Sequence, residues 1–177
     1  MTLSPELYAR AQGVRLLVLD VDGVLTDGRL YYGASGEELK AFHIRDGLGL
    51  KLLHASGVQV VIVTGRTSRA VQLRAENLGL PYVFQGIGDK LAVFEQLLVR
   101  FALKPTAAAA IGDDLPDLPV LRRCGLAACV PEASAAVREC AHYVTDRPGG
   151  GGAVREVCDL LMTAQGTLEA AMHEYIK

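Results

Sequence analysis

Cysteine is scarce in this sequence and never paired. Cys124, Cys129, Cys140 and Cys158 stand singly, with no Cys-x-x-Cys spacing and no histidine at a matching interval. That excludes the usual metal and redox motifs, and the four read as small buried hydrophobes in a reducing compartment. No apolar stretch approaches the roughly 18 residues of a membrane helix. Residues 1–13 carry Glu6 and Arg10 and lack an apolar core, so they do not read as a secretory signal. Charge of one sign is lacking too: 18 Lys and Arg against 20 Asp and Glu give a net charge of −2. Nucleic-acid binding needs a basic face that this balance does not offer. The expectation is a cytoplasmic protein with neither a nucleic-acid nor a membrane partner.

What is present is a core-forming composition. Half of the 177 residues are hydrophobic and 21% are charged, which suits one globular domain spanning residues 1–177. Ser4-Pro5-Glu6 reads as a helix start, with Ser4 as N-cap and proline at the first helical position. Short apolar runs then alternate with helical patterns. Arg15–Asp20, Gln59–Thr64, Tyr82–Gln85, Ala107–Gly112 and Leu126–Val130 read as strands. Most are near-continuous apolar runs, as in parallel strands covered on both faces. Helices are expected at about 47–56, 68–78, 90–102 and 115–124, with Gly57, Gly79 and Gly125 where the first, second and fourth should stop. A last helix is expected over Ala153–Gln165. This alternation predicts an α/β fold, a doubly wound parallel sheet.

Two segments break the rhythm. Arg29–Tyr32, the turn Gly33-Ala34-Ser35-Gly36 and Glu37–His43 read as a β-hairpin inserted at about 28–43. A lone two-stranded hairpin is marginal, so this one should pair with something, another subunit being one choice. Gly149–Gly152 opens a C-terminal segment running from about 148 to 177. It reads either as a flexible connector or as backbone that must approach a ligand or a neighbouring chain closely.

The chemistry lies at the strand ends. Ligands of open parallel sheets bind outside the carboxyl ends of the strands. Asp20 and Asp22 follow the first strand, Thr64-Gly65-Arg66 the second and Gly112-Asp113-Asp114 the fourth, while Lys90 opens the helix after the third. Phosphate-ester cleavage needs positioning and charge neutralisation above all. Asp20 is suited to attack phosphorus, and Asp22 to act as general acid to the leaving alkoxide and base to water. A hard cation, Mg²⁺, is expected on Asp20, Asp113 and the carbonyl of Asp22. Held by metal, Asp20 would stay ionised while Asp22, without metal on its carboxylate, would keep its proton. Thr64 and the Gly65 backbone are suited to a phosphate oxygen at a helix entrance, and Lys90 adds a positive charge. Asp114 could orient water at the metal, and Asp117 could cap the next helix or hold Lys90.

Asp20-Val21-Asp22-Gly23, Val63-Thr64-Gly65, Lys90 and Gly112-Asp113-Asp114-x-x-Asp117 together resemble the four motifs of haloacid dehalogenase-like phosphohydrolases. Response-regulator receivers also combine Asp, Thr and Lys, but there the phosphorylated Asp ends the third strand. The likeness sharpens over Asp20–Gly28, Gly36–Gly47 and Gly152–Leu161, which are similar to the 3-deoxy-D-manno-octulosonate 8-phosphate phosphatase family. That resemblance spans about Val14 to Gly166. It implies a capless enzyme that uses Mg²⁺ and forms a homotetramer through its hairpins, neighbours covering the active site. It implies phosphate release from an eight-carbon sugar acid for the lipopolysaccharide core. It also implies substrate contacts from Asp22, Gly23, His43, Ile44, Arg45, Asp46, Gly47, Arg66, Arg74 and Lys90. Arg66 and Arg74, eight residues apart, are expected on one face of one helix; Arg74 reads equally as a solvated surface arginine, and His43 as a polar residue at a hairpin end. One departure stands out: the family tends to carry a basic residue within the glycine run, where this chain has Gly151, and the tail to Lys177 is short. The alternatives are a phosphatase of nine-carbon sialic-type sugar acid 9-phosphates and a non-catalytic phosphate-binding module.

Overall fold

The computed structural model describes residues 4–173 and 175; the end of the tail, including Lys177, lies outside the described residues. The chain runs α1 (Pro5–Gln12), β1 (Leu16–Leu19), β2 (Tyr31–Tyr32), β3 (Glu38–Leu39), α2 (Ile44–Ala55), β4 (Gln59–Val63), α3 (Arg69–Leu78), β5 (Tyr82–Phe84), α4 (Lys90–Arg100), β6 (Ala108–Gly112), α5 (Leu118–Arg123), β7 (Leu126–Cys129), α6 (Ala135–Cys140), β8 (Tyr143–Val144), α7 (Ala153–Ala164) and α8 (Leu168–His173). Ser4 caps α1 as expected, its hydroxyl accepting from the Leu7 amide at 3.2 Å.

Six strands form one parallel sheet in the order β5-β4-β1-β6-β7-β8. The expected five strands are all there; β8 is a sixth, pairing with β7 through Ala128–Tyr143 and Cys129–Val144. Alternate strand residues feed two cores. Leu17, Leu19, Val60, Ile62, Ala109 and Ile111 pack with residues of α1, α2, α3 and α7. Leu16, Val18, Val61, Val63, Ala108 and Ala110 pack with α4, α5 and α6 around Phe94 and Leu121. The sheet is therefore doubly wound, with β1 flanked by β4 and β6 where the strand order reverses, the place at which such sheets open a crevice.

Three of the four cysteines, Cys124, Cys129 and Cys158, are buried in these cores. Burial pushes the Cys124 thiol up to about 12 and Cys129 up to about 11, so neither is a reactive thiol at neutral pH.

The hairpin forms a separate two-stranded antiparallel sheet, Tyr31 opposite Leu39 and Tyr32 opposite Glu38. Its apolar residues Leu30, Tyr31, Tyr32 and Leu39 are exposed.

The glycine run is not a slack linker: its first half packs on the chain's own backbone, and Gly151 and Gly152 line a cavity of about 370 Å³. A Cβ on Gly149 would lie 1.8 Å from the carbonyl oxygen of Gly23, and one on Gly150 would lie 2.6 Å from the amide of Asp27. The Gly150 amide donates to the Val24 carbonyl at 3.0 Å. The close approach predicted for this run is to the chain's own loop after β1. Gly125 also differs from expectation: it does not turn left-handed, but lies against Thr106, whose carbonyl oxygen a Cβ would meet at 2.4 Å.

Gly149→Ala must displace the loop that carries Asp22. It is expected to lower the thermal midpoint by roughly 5–10 °C, whereas Gly13→Ala, at φ −84 with open space around it, leaves the midpoint unchanged. Calorimetry of the two variants checks this.

Candidate active site

β1 and β6 are adjacent parallel strands, so the residues that follow them, Asp20 and Asp113, emerge side by side. Carboxylate oxygens of Asp20, Asp113 and Asp117 all lie within 4.8 Å of one another. Two glycines make this possible. Gly23, at φ +88, lies so close to Asp113 that a Cβ would sit 2.0 Å from its Oδ2, and a Cβ on Gly112 would sit 2.5 Å from the Cβ of Asp117.

Lys90 stands at the first turn of α4, whose N-cap Asp89 accepts from the Ala92 amide. Its side chain turns inward, placing Nζ 2.9 Å from Asp20 Oδ1 and 2.7 Å from Asp117 Oδ1. The other oxygen of Asp117 accepts from the amides of Asp113 (3.1 Å) and Asp114 (3.4 Å). Of the two roles expected for Asp117, it fills that of holding Lys90. It does not cap α5, because its carboxylate is turned back to the strand end.

Burial is the main influence on the carboxyl groups. It pushes Asp20 up to about 6, with Asp117 adding to the rise and Lys90 opposing it. Asp113 goes up to about 7, again chiefly by burial and then by the charges of Asp20, Asp117 and Asp114. Burial alone would lower the Lys90 ammonium, yet the pull of Asp20 and Asp117 leaves it above its ordinary value. Crowded, buried carboxylates with oxygen-only donor sets fit a hard divalent cation, and Asp20 and Asp113 are the pair that stands at the ends of adjacent strands.

Asp22, expected to carry no metal on its carboxylate, has two cationic neighbours. The hairpin delivers Lys40, whose Nζ meets Asp22 Oδ1 and lies 3.3 Å from Glu38 Oε1. Arg66 Nε lies 3.7 Å from Asp22 Oδ2, while its guanidinium binds Glu38 Oε2 and, at 3.4 Å, the Tyr32 hydroxyl. That ion pair holds the Glu38 carboxyl below its usual range. Lys40 and Glu38 escape a reading by strand ends alone. Their signal is the i, i+2 spacing of two charges in a strand whose other face is apolar.

Thr64 is buried at the end of β4 and its hydroxyl accepts from the Arg66 amide at 3.4 Å. α3 begins only at Arg69. Thr64 and Gly65 therefore lie in the loop before the helix rather than at its entrance. Arg66 lies in that loop too, so it does not share a helix face with Arg74.

The structure joins Arg74 instead to the His43–Gly47 segment. The Arg74 guanidinium donates to the His43 carbonyl at 3.4 Å and lies 5.9 Å from the centre of the Phe42 ring. Gly47 gives it room: a Cβ there would lie 2.2 Å from the Arg74 guanidinium. Asp46 is buried and accepts from the Arg155 amide at 2.7 Å, fastening α2 to the first turn of α7. Ile44 points to solvent. Arg45 lines a cavity of about 370 Å³ with Arg147 and Arg155, which shares no residue with the carboxylate cluster. None of His43–Gly47 or Arg74 contacts Asp20, Asp22 or Asp113 through a hydrogen bond or ion pair among the described residues.

Known proteins place this arrangement. A family model for haloacid dehalogenase-like hydrolases matches residues 44–125. The 3-deoxy-D-manno-octulosonate 8-phosphate phosphatase of Salmonella typhimurium is 47% identical over 98% of this chain and 93% of its own length. The crystal structure of the phosphatase of that name from Moraxella catarrhalis, in complex with magnesium ion, phosphate ion and a KDO molecule, is 40% identical. It superposes with a TM-score of 0.95 over 98% of this chain and 99% of that one. A probable YrbI family phosphatase from Pseudomonas syringae is 49% identical, with the same TM-score and the same coverage.

The raised carboxyls set a direction for stability. Between their ordinary value of 3.8 and about 7, the folded protein holds protons that the unfolded chain has released. Stability of the metal-free protein is therefore expected to fall as pH rises through that window. Asp113→Asn removes one crowded charge and should flatten that fall and raise the metal-free thermal midpoint near pH 8. Addition of Mg²⁺ should raise the wild-type midpoint more at pH 8 than at pH 5.5, and should leave Asp113→Asn unmoved. Thermal scans across pH with and without the cation check all three.

Proposed function

The chain belongs to the 3-deoxy-D-manno-octulosonate 8-phosphate phosphatase family of the haloacid dehalogenase-like hydrolases, and from that premise we propose how its residues carry the reaction. It is a Mg²⁺-dependent phosphomonoesterase that releases phosphate from 3-deoxy-D-manno-octulosonate 8-phosphate, in the service of lipopolysaccharide biosynthesis. The observation that carries the residue assignment is Lys90 bridging Asp20 and Asp117 beside Asp113, where the strand order reverses.

In this reading a carboxylate oxygen of Asp20 attacks phosphorus. The bond from phosphorus to the sugar oxygen breaks, and the departing alkoxide takes a proton from Asp22. Water then attacks the aspartyl-phosphate and gives its proton to Asp22, and the bond to Asp20 breaks, restoring both side chains. Asp20, Asp113 and the carbonyl of Asp22 would hold Mg²⁺, which supplies neutralisation of phosphoryl charge when bound. Lys90 adds positive charge on the same side and orients Asp20, with Asp117 fixing Lys90 in turn. Thr64 and the backbone of Gly23 and Gly65 would receive the phosphoryl oxygens, and Asp114 stands beside Asp113 to orient water. Arg66 is the cation placed to meet the rest of the substrate, and His43, Ile44, Arg45, Asp46, Gly47 and Arg74 are assigned to substrate on the family likeness alone.

We further infer a cytoplasmic homotetramer of capless single-domain subunits. Leu30, Tyr31, Tyr32 and Leu39 are 42–63% exposed on the hairpin, with Tyr31 and Leu39 opposite each other on one face, apolar surface that suits packing around a common centre.

Asp20→Asn is expected to abolish turnover and the phosphoenzyme. Asp22→Asn should slow formation and breakdown of the intermediate by roughly 10²–10⁴-fold. Phosphate release measured on the eight-carbon substrate, a nine-carbon sugar acid 9-phosphate and an aryl phosphate checks the substrate, strong preference for the first being expected. Leu39→Glu should reduce the mass measured by light scattering from tetramer to smaller species.

A further inference from the structure

Lys40 is the most buried charged side chain on an otherwise exposed hairpin. Its side chain is 1% exposed, whereas Leu39, its neighbour in sequence, is 57% exposed. Burying an ammonium costs several kcal/mol unless it is paired, and an apolar residue would anchor a hairpin as well. The charge therefore serves something other than the fold. Its partners are Asp22 Oδ1 and, at 3.3 Å, Glu38 Oε1.

We propose that Lys40 is a positioning residue for Asp22, pinning Oδ1 so that Oδ2 is the oxygen that exchanges the proton with the sugar oxygen and with water. This rests on the reading of Asp22 as the acid and base of the phosphatase reaction. Proton transfer needs the carboxylate held close to its productive geometry, and an aspartate at a loop is free to rotate about its side-chain bonds unless one of its oxygens is held. Lys40 fixes one oxygen. Among the described residues the other has only Arg66, at 3.7 Å, whose guanidinium is engaged by Glu38. Glu38 thus has two tasks: it shares the Lys40 ammonium, so that Asp22 does not face an undivided cation, and it draws Arg66 off Oδ2. The chain makes this possible because Lys40 directly follows β3, and two residues after Glu38 its side chain turns back to the same side.

A positioning role separates from a structural or substrate-binding one by leaving group. An alkyl phosphate needs a proton from Asp22 for its alkoxide to leave; p-nitrophenyl phosphate does not. In Lys40→Ala, kcat on 3-deoxy-D-manno-octulosonate 8-phosphate is expected to fall about 10²-fold with KM little changed. The first-turnover burst of p-nitrophenolate should persist, and added ethylamine should restore part of the alkyl rate. Lys40→Met, which keeps the apolar stem, should retain the Mg²⁺-induced thermal shift of the wild type while losing the same alkyl activity; this guards against a variant that fails to fold. The proposal is overturned by wild-type turnover in Lys40→Met, by a raised KM at unchanged kcat, or by equal loss of burst and alkyl rate without amine rescue. A wild-type protein that releases phosphate from no substrate would instead defeat the phosphatase reading itself.

Discussion

Everything at this site depends on keeping like charges together. Asp20 and Asp113 are driven side by side by the pairing of β1 with β6, and Asp117 is folded back onto the same strand end. Water is largely excluded there, so mutual repulsion is felt strongly. Lys90 is the counter-charge the chain supplies: one ammonium within 3 Å of two of the three carboxylates. One positive charge cannot balance three negatives: the Asp20 and Asp113 carboxyls, raised first by burial, are raised further by the charges of their carboxylate neighbours. Carboxylates crowded in this way favour a divalent cation, which would offset their charge where a phosphoryl group, itself anionic, could then approach.

Such crowding is maintained by backbone contact rather than by side-chain bulk. Gly112 lets Asp117 lie on β6, Gly23 lets Asp113 lie on the loop after β1, and Gly149 and Gly150 lay the segment before α7 across that same loop. Each contact leaves no room for a methyl group. Asp46 adds a polar tie from the other side, joining α2 to α7 through the Arg155 amide. The loop carrying Asp22 is thus clamped between the Asp113 carboxylate and the C-terminal segment, and the geometry of the site is tied to parts of the chain about a hundred residues away or more in sequence.

The fold was legible in the sequence wherever burial on two faces wrote a long enough signal. Val60–Val63 and Ala108–Ile111 show it as unbroken apolar runs, and Asp20, Lys90 and Asp113 show it as polar groups stranded at the ends of those runs. Elements too short to carry a period were not legible: β8 has two residues, α6 and α8 have six each. Within the site, the residues contributed by the hairpin were invisible to strand-end logic, because β3 does not belong to the main sheet and its register against Asp22 is a tertiary fact. The glycine run was ambiguous for a related reason. Sequence says that a backbone must come close, and only the fold says to what.

The hairpin then has two faces with two tasks. Leu39 and Tyr31, opposite each other across the hairpin, share its outer face, while Glu38, with Tyr32 opposite it, and Lys40 lie toward Asp22 in the loop after β1. Alternation along a strand makes these faces inseparable: a slip of one residue in the β2–β3 register would expose the charges and bury the apolar row. Whatever fixes the outer face against another surface therefore also fixes the height of Lys40 over Asp22. Packing of the outer face and the placing of Lys40 over Asp22 are thus one problem, and it rests on two short strands that, alone in water, would be only marginally stable.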